Sequence, residues 1–458
     1  MIVILIDQLE PWFKYIWEQF VKINDLNTDY VFLSYSKYLS SNFKKFNVAL
    51  IEYSNKQQYS DSLFVPQNHF FETDDYIWLQ DRFPIYRGTF TEGTGDYDIF
   101  YNAFIHLSRL EEWESEKKGR YIHSYSSFHP RKNKRIWKIP VVNLLFNELE
   151  KKIKLKYPQV SFGYGSEPMI EYSHDVDYIN KTIQLRIKQT LFHLFNSGNY
   201  LIKLNLIKSI RKLVQGINFA YQAGNYWCFD YWNEMEKKLN IKSVFYFFAK
   251  IKDKKIKGIN RWVIDPSYDI AQNIKLKTKC AEMISNGNKI AIHGSYFSAI
   301  YEGLFQKEKD MLEDVLNSSI TKSRQHWLNY HEKSTPYIHS KAGIEEDSTI
   351  GFNDISGFRA GVASRFNPYD HKNQAPFVFE EIPIVVMDSH IHYYSDNPNL
   401  NNYEWLLDCV TDVKNFSISI NWHQRVFSAD YGWANSYPVL AERFHDQVVR
   451  YRSQEKML

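Results

Sequence analysis

From residue 169 onward the chain alternates short apolar runs with longer amphipathic stretches, and titratable side chains gather where the short runs end. Strand-like runs fall at 169–173, 243–249, 289–293, 357–360, 381–387 and 417–422. Helical spacing recurs at 229–239, 275–285, 303–317 and 438–452. Such alternation predicts a parallel sheet or a barrel, with function at the carboxyl ends of the strands. The chain is long enough for two domains, at 458 residues, and its 44% hydrophobic share excludes wholesale disorder.

Upstream, an apolar run at 1–6, helical spacing at 11–21 and a second apolar run at 48–53 predict a small α/β unit. Further helical spacing appears at 98–113 and 139–153. The turn-rich segment KLKYPQVSFGYGSEP at 154–168 marks a boundary, giving an N-terminal domain over 1–165 and a second domain over 166–458. No chemistry is recognisable in the first. Lys plus Arg number 56 and Asp plus Glu 53, a net charge of +3 that argues against a general nucleic-acid binder. Cys228, Cys280 and Cys409 are too few and too scattered for a disulfide framework or a cysteine zinc site, and read as small core residues. The opening MIVILIDQLEPWF has no basic leader region and carries Asp7, so a signal peptide is not expected. With no run of about 18 uncharged apolar residues either, a cytoplasmic setting follows as the expectation.

Between Asp177 and Asp230 there is no acidic residue, while Lys181, Arg186, Lys188, Lys203, Lys208, Arg211 and Lys212 are basic. Apolar residues recur there at spacings of three and four, which predicts basic amphipathic helices in an insertion at 179–216. Two readings stand: peripheral contact with an anionic membrane, or solvated helices packed on the barrel. The second is the simpler, since surface helices are often basic without lipid contact.

The strand ends carry His174-Asp175-Val176-Asp177, His293-Gly294-Ser295-Tyr296, Gly357-Phe358-Arg359-Ala360-Gly361 and Trp422-His423. Asp175 and Asp177 would repel each other if both were buried, so a nearby cation is implied. His174 should point opposite to Asp175 along a strand and is read as packing.

This order of Asp-x-Asp, strand-end His, Phe-Arg and late His resembles the polysaccharide deacetylases (NodB homology domain, carbohydrate esterase family four) over roughly residues 166–430. FDYWNEMEKKLNIKSVFYFF at 229–248 and AGIEEDSTIG at 342–351 add to the likeness. DIFYNAFIHLSRLEEW at 98–113 is similar to a domain that precedes such modules in Bacteroidetes. The resemblance implies a distorted (β/α) barrel that removes N- or O-acetyl groups from a sugar with one divalent metal. Zinc fits best, with cobalt, nickel or manganese as alternatives. By motif position Asp175 matches the general base, Asp177 a metal ligand, His293 the first metal histidine, Arg359 the arginine that keeps the base ionised, and His423 the general acid. The implied substrate is an acetylated glycan or lipid-linked saccharide of cell-surface or capsular polysaccharide assembly. A cytoplasmic enzyme of that kind would work at the inner membrane, brought there by the basic insertion.

One departure matters. The family's second metal histidine, four residues after the first, is Phe297 here. His326, in Ser323-Arg324-Gln325-His326, is the replacement expected from placement. His390 and His392 form a His-x-His pair with no matching motif, and Asp388 is a candidate to orient His423. The alternative is a deacetylase-like chain that has lost its metal and only binds glycan or scaffolds an assembly.

Overall fold

The computed structural model describes residues 1–91, 95–252, 256, 258–392, 403–428, 430 and 436–455. Among these residues sixteen strands form in chain order. The first four are β1 (Ile2–Ile6), β2 (Tyr30–Leu33), β3 (Ala49–Ser54) and β4 (Leu63–Pro66), a parallel sheet in the order β2-β1-β3-β4. Every residue of β1 is buried, as a parallel strand covered on both faces requires. A helix at Pro11–Asn24 begins on its proline, whose missing N–H costs nothing in the first turn. An antiparallel pair, β5 (Tyr76–Leu79) and β6 (Phe83–Tyr86), follows.

The second sheet has eight parallel strands: β7 (Met169–Val176), β8 (Val244–Phe247), β9 (Lys289–Gly294), β10 (Lys322–Gln325), β11 (Glu346–Asp347), β14 (Glu380–Glu381), β15 (Ile384–Met387) and β16 (Ser417–Asn421). Their order is β14-β11-β10-β9-β8-β7-β16-β15. The two edges are β14 and β15, which are consecutive in the chain. Between them the Ile382 N–H donates to Asp347 in β11 (2.8 Å), and the Pro383 carbonyl accepts from Ser419 in β16 (2.8 Å). One segment thus serves both edges and the sheet curls around on itself, leaving no long unpaired edge. A short ladder, β12 (Tyr369–Asp370) with β13 (Ala375–Pro376), lies outside it.

The expected strands at 169–173, 243–249, 289–293 and 417–422 form with small shifts of their ends. The run at 357–360 is not a strand. Gly357 sits at φ +154, where an added Cβ would lie 2.5 Å from the Trp137 carbonyl, and the Phe358 N–H donates to that carbonyl at 2.6 Å. The segment is held between the N-terminal part of the chain and the sheet edge, where the Gly357 N–H donates to the Val385 carbonyl of β15 at 3.1 Å. Consistently, one hydrophobic cluster joins Ile4, Phe100 and Val142 to Tyr330, Ile350, Val362 and Phe366, across the boundary expected near residue 165. A second cluster fills the space between the large sheet and its helices.

Candidate metal and hydrolytic site

Side chains alternate along β7, so Ser173 and Asp175 share one face and His174 takes the other. His174 bonds Glu236 (2.6 Å) and the Trp422 carbonyl (3.1 Å) and stacks on Trp232, the packing role expected of it. Just past the strand the Asp177 N–H donates to the Asp175 carbonyl (3.1 Å) and to Gln424 (3.2 Å). That turn brings both carboxylates to one cavity of about 520 Å³, which His293, His326 and His423 also line.

Asp175 is fully engaged. Its Oδ1 accepts from Arg324 (2.8 Å) and its Oδ2 from Asn421 (2.9 Å). Burial alone would raise its pKa, but Arg324, then His293 and His423, outweigh burial and hold it below the usual carboxylate value. The arginine beside Asp175 is therefore Arg324 and not Arg359, and the expectation for Arg359 is corrected. Arg359 donates to Glu112 (2.6 and 3.1 Å), to the Gly351 carbonyl (3.0 Å) and to Ser124, because Gly357–Trp137 packing turns its segment toward the N-terminal helices.

Asp177, His293 and His326 bring three ligand atoms within 4.8 Å of one another, all buried. His293 Nε2 and His326 Nδ1 are 2.9 Å apart, and each is 3.5 Å from Asp177 Oδ1. The other ring nitrogens face backbone carbonyls: His293 Nδ1 that of Arg324 (3.0 Å), His326 Nε2 that of Ile264 (3.0 Å). A carbonyl only accepts, so both of those nitrogens carry the proton in the neutral rings. The two remaining lone pairs then point at each other and at Asp177 Oδ1, which has no hydrogen-bond partner among the described residues. Three acceptors facing a common point fit a cation. Tetrahedral ligands about 2.0–2.1 Å from zinc lie about 3.3 Å apart, close to the spacings here. Burial pushes His326 down to about 4, the neutral form a ligand needs. Burial also lowers His293, but Asp175 and Asp177 raise it by more, so a proton competes with the metal there.

His326 reaches the site because β10 pairs with β9 in a register that sets Arg324 beside His293, and His326 lies two residues on, on the same face. Trp327 (φ 60) and Leu328 (φ 48) then turn the chain in the left-handed region. Phe297, half-buried against Tyr296 and Tyr301, takes no part in the cluster.

On the other side of Asp175, His423 Nε2 stands 3.7 Å from Asp175 Oδ2. Its Nδ1 meets Asp388 at 2.9 Å, and Asp388 also accepts from the His423 N–H (2.9 Å) and from Arg425 (3.2 Å). Burial opposes ionisation of Asp388, but His423 and Arg425 bring its pKa well below the usual value. Asp388 thus orients His423. His390 is no ligand: its nitrogens are taken by the Met387 N–H (3.1 Å) and the Phe352 carbonyl (2.7 Å).

Residues 2–158 match the model of a family of unknown function (DUF7033). No curated protein matches the chain. Among solved structures it is similar to a CE4 family pseudoenzyme from Bacillus anthracis, with 12% identity and a TM-score of 0.25, over 64% of each chain. A mutant of that protein, described as having restored enzymatic activity, gives the same two values over 68% of this chain and 79% of its own. Overlap at that level transfers neither fold nor activity.

Proposed function

We propose that the chain is a metal-dependent deacetylase acting on an N- or O-acetylated saccharide, with its large sheet a barrel of the polysaccharide-deacetylase type. The convergence of two imidazole lone pairs and an unbonded carboxylate oxygen, beside a second carboxylate kept ionised by Arg324, carries this reading. Asp177, His293 and His326 would hold the metal. A bound divalent ion supplies Lewis acidity toward the acyl carbonyl and lowers the pKa of its water.

The protein residues do the rest. Asp175, charged and fixed by Arg324 and Asn421, takes the proton of the attacking water. His423, with Nδ1 held on Asp388, presents Nε2 toward the leaving amine or alkoxide and donates its proton there. Tyr125 and Trp327 in the cavity wall offer aromatic faces for a sugar ring.

Acetate release from an acetylated oligosaccharide by zinc-loaded protein tests the assignment. Asp175→Asn should keep its metal and lose turnover by roughly 10²–10⁴-fold. Asp177→Asn should lose the metal itself. Undiminished turnover in Asp175→Asn would remove Asp175 as the base, and a wild-type chain that holds no metal and releases no acetate would leave the glycan-binding alternative.

A further inference from the structure

The insertion expected at 179–216 is an antiparallel pair of helices, Ile183–Ile202 and Leu206–Tyr221, and its packing is inside out. The residues buried along these helices are Leu185, His193, Ser197, Ser209, Gly216 and Phe219. Leu185 and Phe219 pack with Tyr226 at the base of the hairpin, and from there to its tip the seam is small and polar. Ser197 Oγ donates to the Ser209 carbonyl and Ser209 Oγ to the Ser197 carbonyl, both at 2.9 Å, while Gly216 lets the helices approach where a Cβ would stand 3.1 Å from that of His193. Small residues with hydroxyl cross-links at a helix seam are how helices associate in lipid, where apolar burial gives no drive.

The large apolar side chains face outward. Ile202 is 81% exposed, Ile207 76% and Phe195 68%, with Leu191, Leu206 and Ile210 exposed beside them. A soluble helical hairpin buries such residues, so a surface of this kind marks a lipid or protein contact. Two observations select lipid. No acidic residue occurs between Asp177 and Asp230, and although Lys181 pairs with Asp430 and Arg186 bonds backbone carbonyls, Lys203 and Arg211 lie exposed on the hairpin, where they complement an anionic leaflet. The apolar surface is also continuous with the candidate active site: Ile187, Leu191, Phe192 and Phe195 line the same cavity as Asp175 and His423, joined by Trp262 and Val263. Lys188 and Arg425 add cations to that cavity. No described helix is long and apolar enough to cross a membrane.

We propose that the 183–221 hairpin lies in the plane of an anionic membrane surface and that its cavity-facing wall receives the lipid portion of a lipid-linked saccharide, whose head then reaches Asp175 and the three metal ligands. The substrate part rests on the deacetylase reading; the membrane part does not. It also explains why His326 bonds the Ile264 carbonyl, the last residue of the Gly258–Ile264 helix that carries exposed Trp262 and Val263: the membrane-facing layer abuts a metal ligand directly.

The test is flotation of the full-length protein with vesicles of phosphatidylcholine alone and of phosphatidylcholine with phosphatidylglycerol, beside Ile202→Asp and Ile207→Asp. Both residues are exposed and lie outside the cavity, so metal content and circular dichroism should match wild type. The inference expects wild type to float at least tenfold more with the anionic vesicles, and both variants to lose most of that binding. Acetate release from a soluble acetylated oligosaccharide should be unchanged in the variants, and release from a lipid-anchored one reduced. Vesicle binding without any acetate release would sustain the membrane anchor and defeat the deacetylase reading. Absence of vesicle binding, or a wild-type dimer by light scattering that the variants dissociate, would overturn the anchor and assign the surface to a second copy.

Discussion

Asp175 ionises in a buried pocket because Arg324 lies 2.8 Å away and replaces the solvation that burial removes. Its depressed pKa makes it a stabilising group above the unfolded value of about 3.9, with that contribution lost as pH falls through the folded value. Arg324→Met should therefore raise the Asp175 pKa and move the acidic limb of the kcat/KM–pH profile to higher pH. Arg359→Met should leave that limb in place and act on stability, because it strips Glu112 of a buried partner. The cost is expected at about 3 kcal/mol, read from denaturant midpoints. If Arg359→Met shifts the limb and Arg324→Met does not, the arginines have been assigned the wrong way round. The motif order pointed to Arg359 because Phe-Arg falls between the strand-end His and the late His, the order on which the resemblance rests. Alternation along a strand would have indicated Arg324, two residues before His326 and so on the same face.

At the scale of elements, the apolar strands of the large sheet were visible in the sequence and β10 was not, for a physical reason. Lys322, Ser323, Arg324 and Gln325 are all buried and all polar, so no apolar run announces them. Each is satisfied instead: Lys322 by Glu171 and Glu346, Ser323 by Asp347, Arg324 by Asp175, Gln325 through its N–H by Thr349. Asp175, Asp177, His293 and His423 could be read from strand ends, since they follow runs that hydrophobicity reveals. The apolar face of the hairpin followed from helical spacing, but its outward orientation and its polar seam needed three dimensions. Burial raises the Glu308 carboxyl to about 7, although it accepts from the Ser295 N–H at 3.0 Å. A raised folded pKa means its favourable contribution is present below the unfolded value and lost as pH climbs through 7. Glu308→Gln should therefore gain about 1–3 kcal/mol relative to wild type between pH 5 and pH 8. A pH-independent difference in unfolding free energy would contradict this.

Across the whole molecule, the N-terminal α/β unit and the sheet that carries the site are tied by a shared core and by buried ions. Glu112 holds Arg359, and Arg109 reaches Glu332 at 2.9 Å. Removing the first 165 residues would uncover Tyr330, Ile350, Val362 and Phe366 and leave Arg359 without its carboxylate. The shortened chain, residues 166–458, should show no cooperative thermal transition, and a sharp transition near that of the full chain would show that the second part folds alone. The turn-rich segment at 154–168 gave a sound reason to draw a boundary, but composition does not report how much apolar surface two neighbouring units share. Asp177 just past β7, His293 in β9 and His326 just past β10 meet at one point. Metal bound per chain in the purified, zinc-reconstituted protein tests it most directly, with His293→Ala, His326→Ala and Phe297→Ala alongside. The account predicts close to one equivalent in wild type and Phe297→Ala and loss in both histidine variants; retention of metal in His326→Ala, or none in wild type, would contradict it.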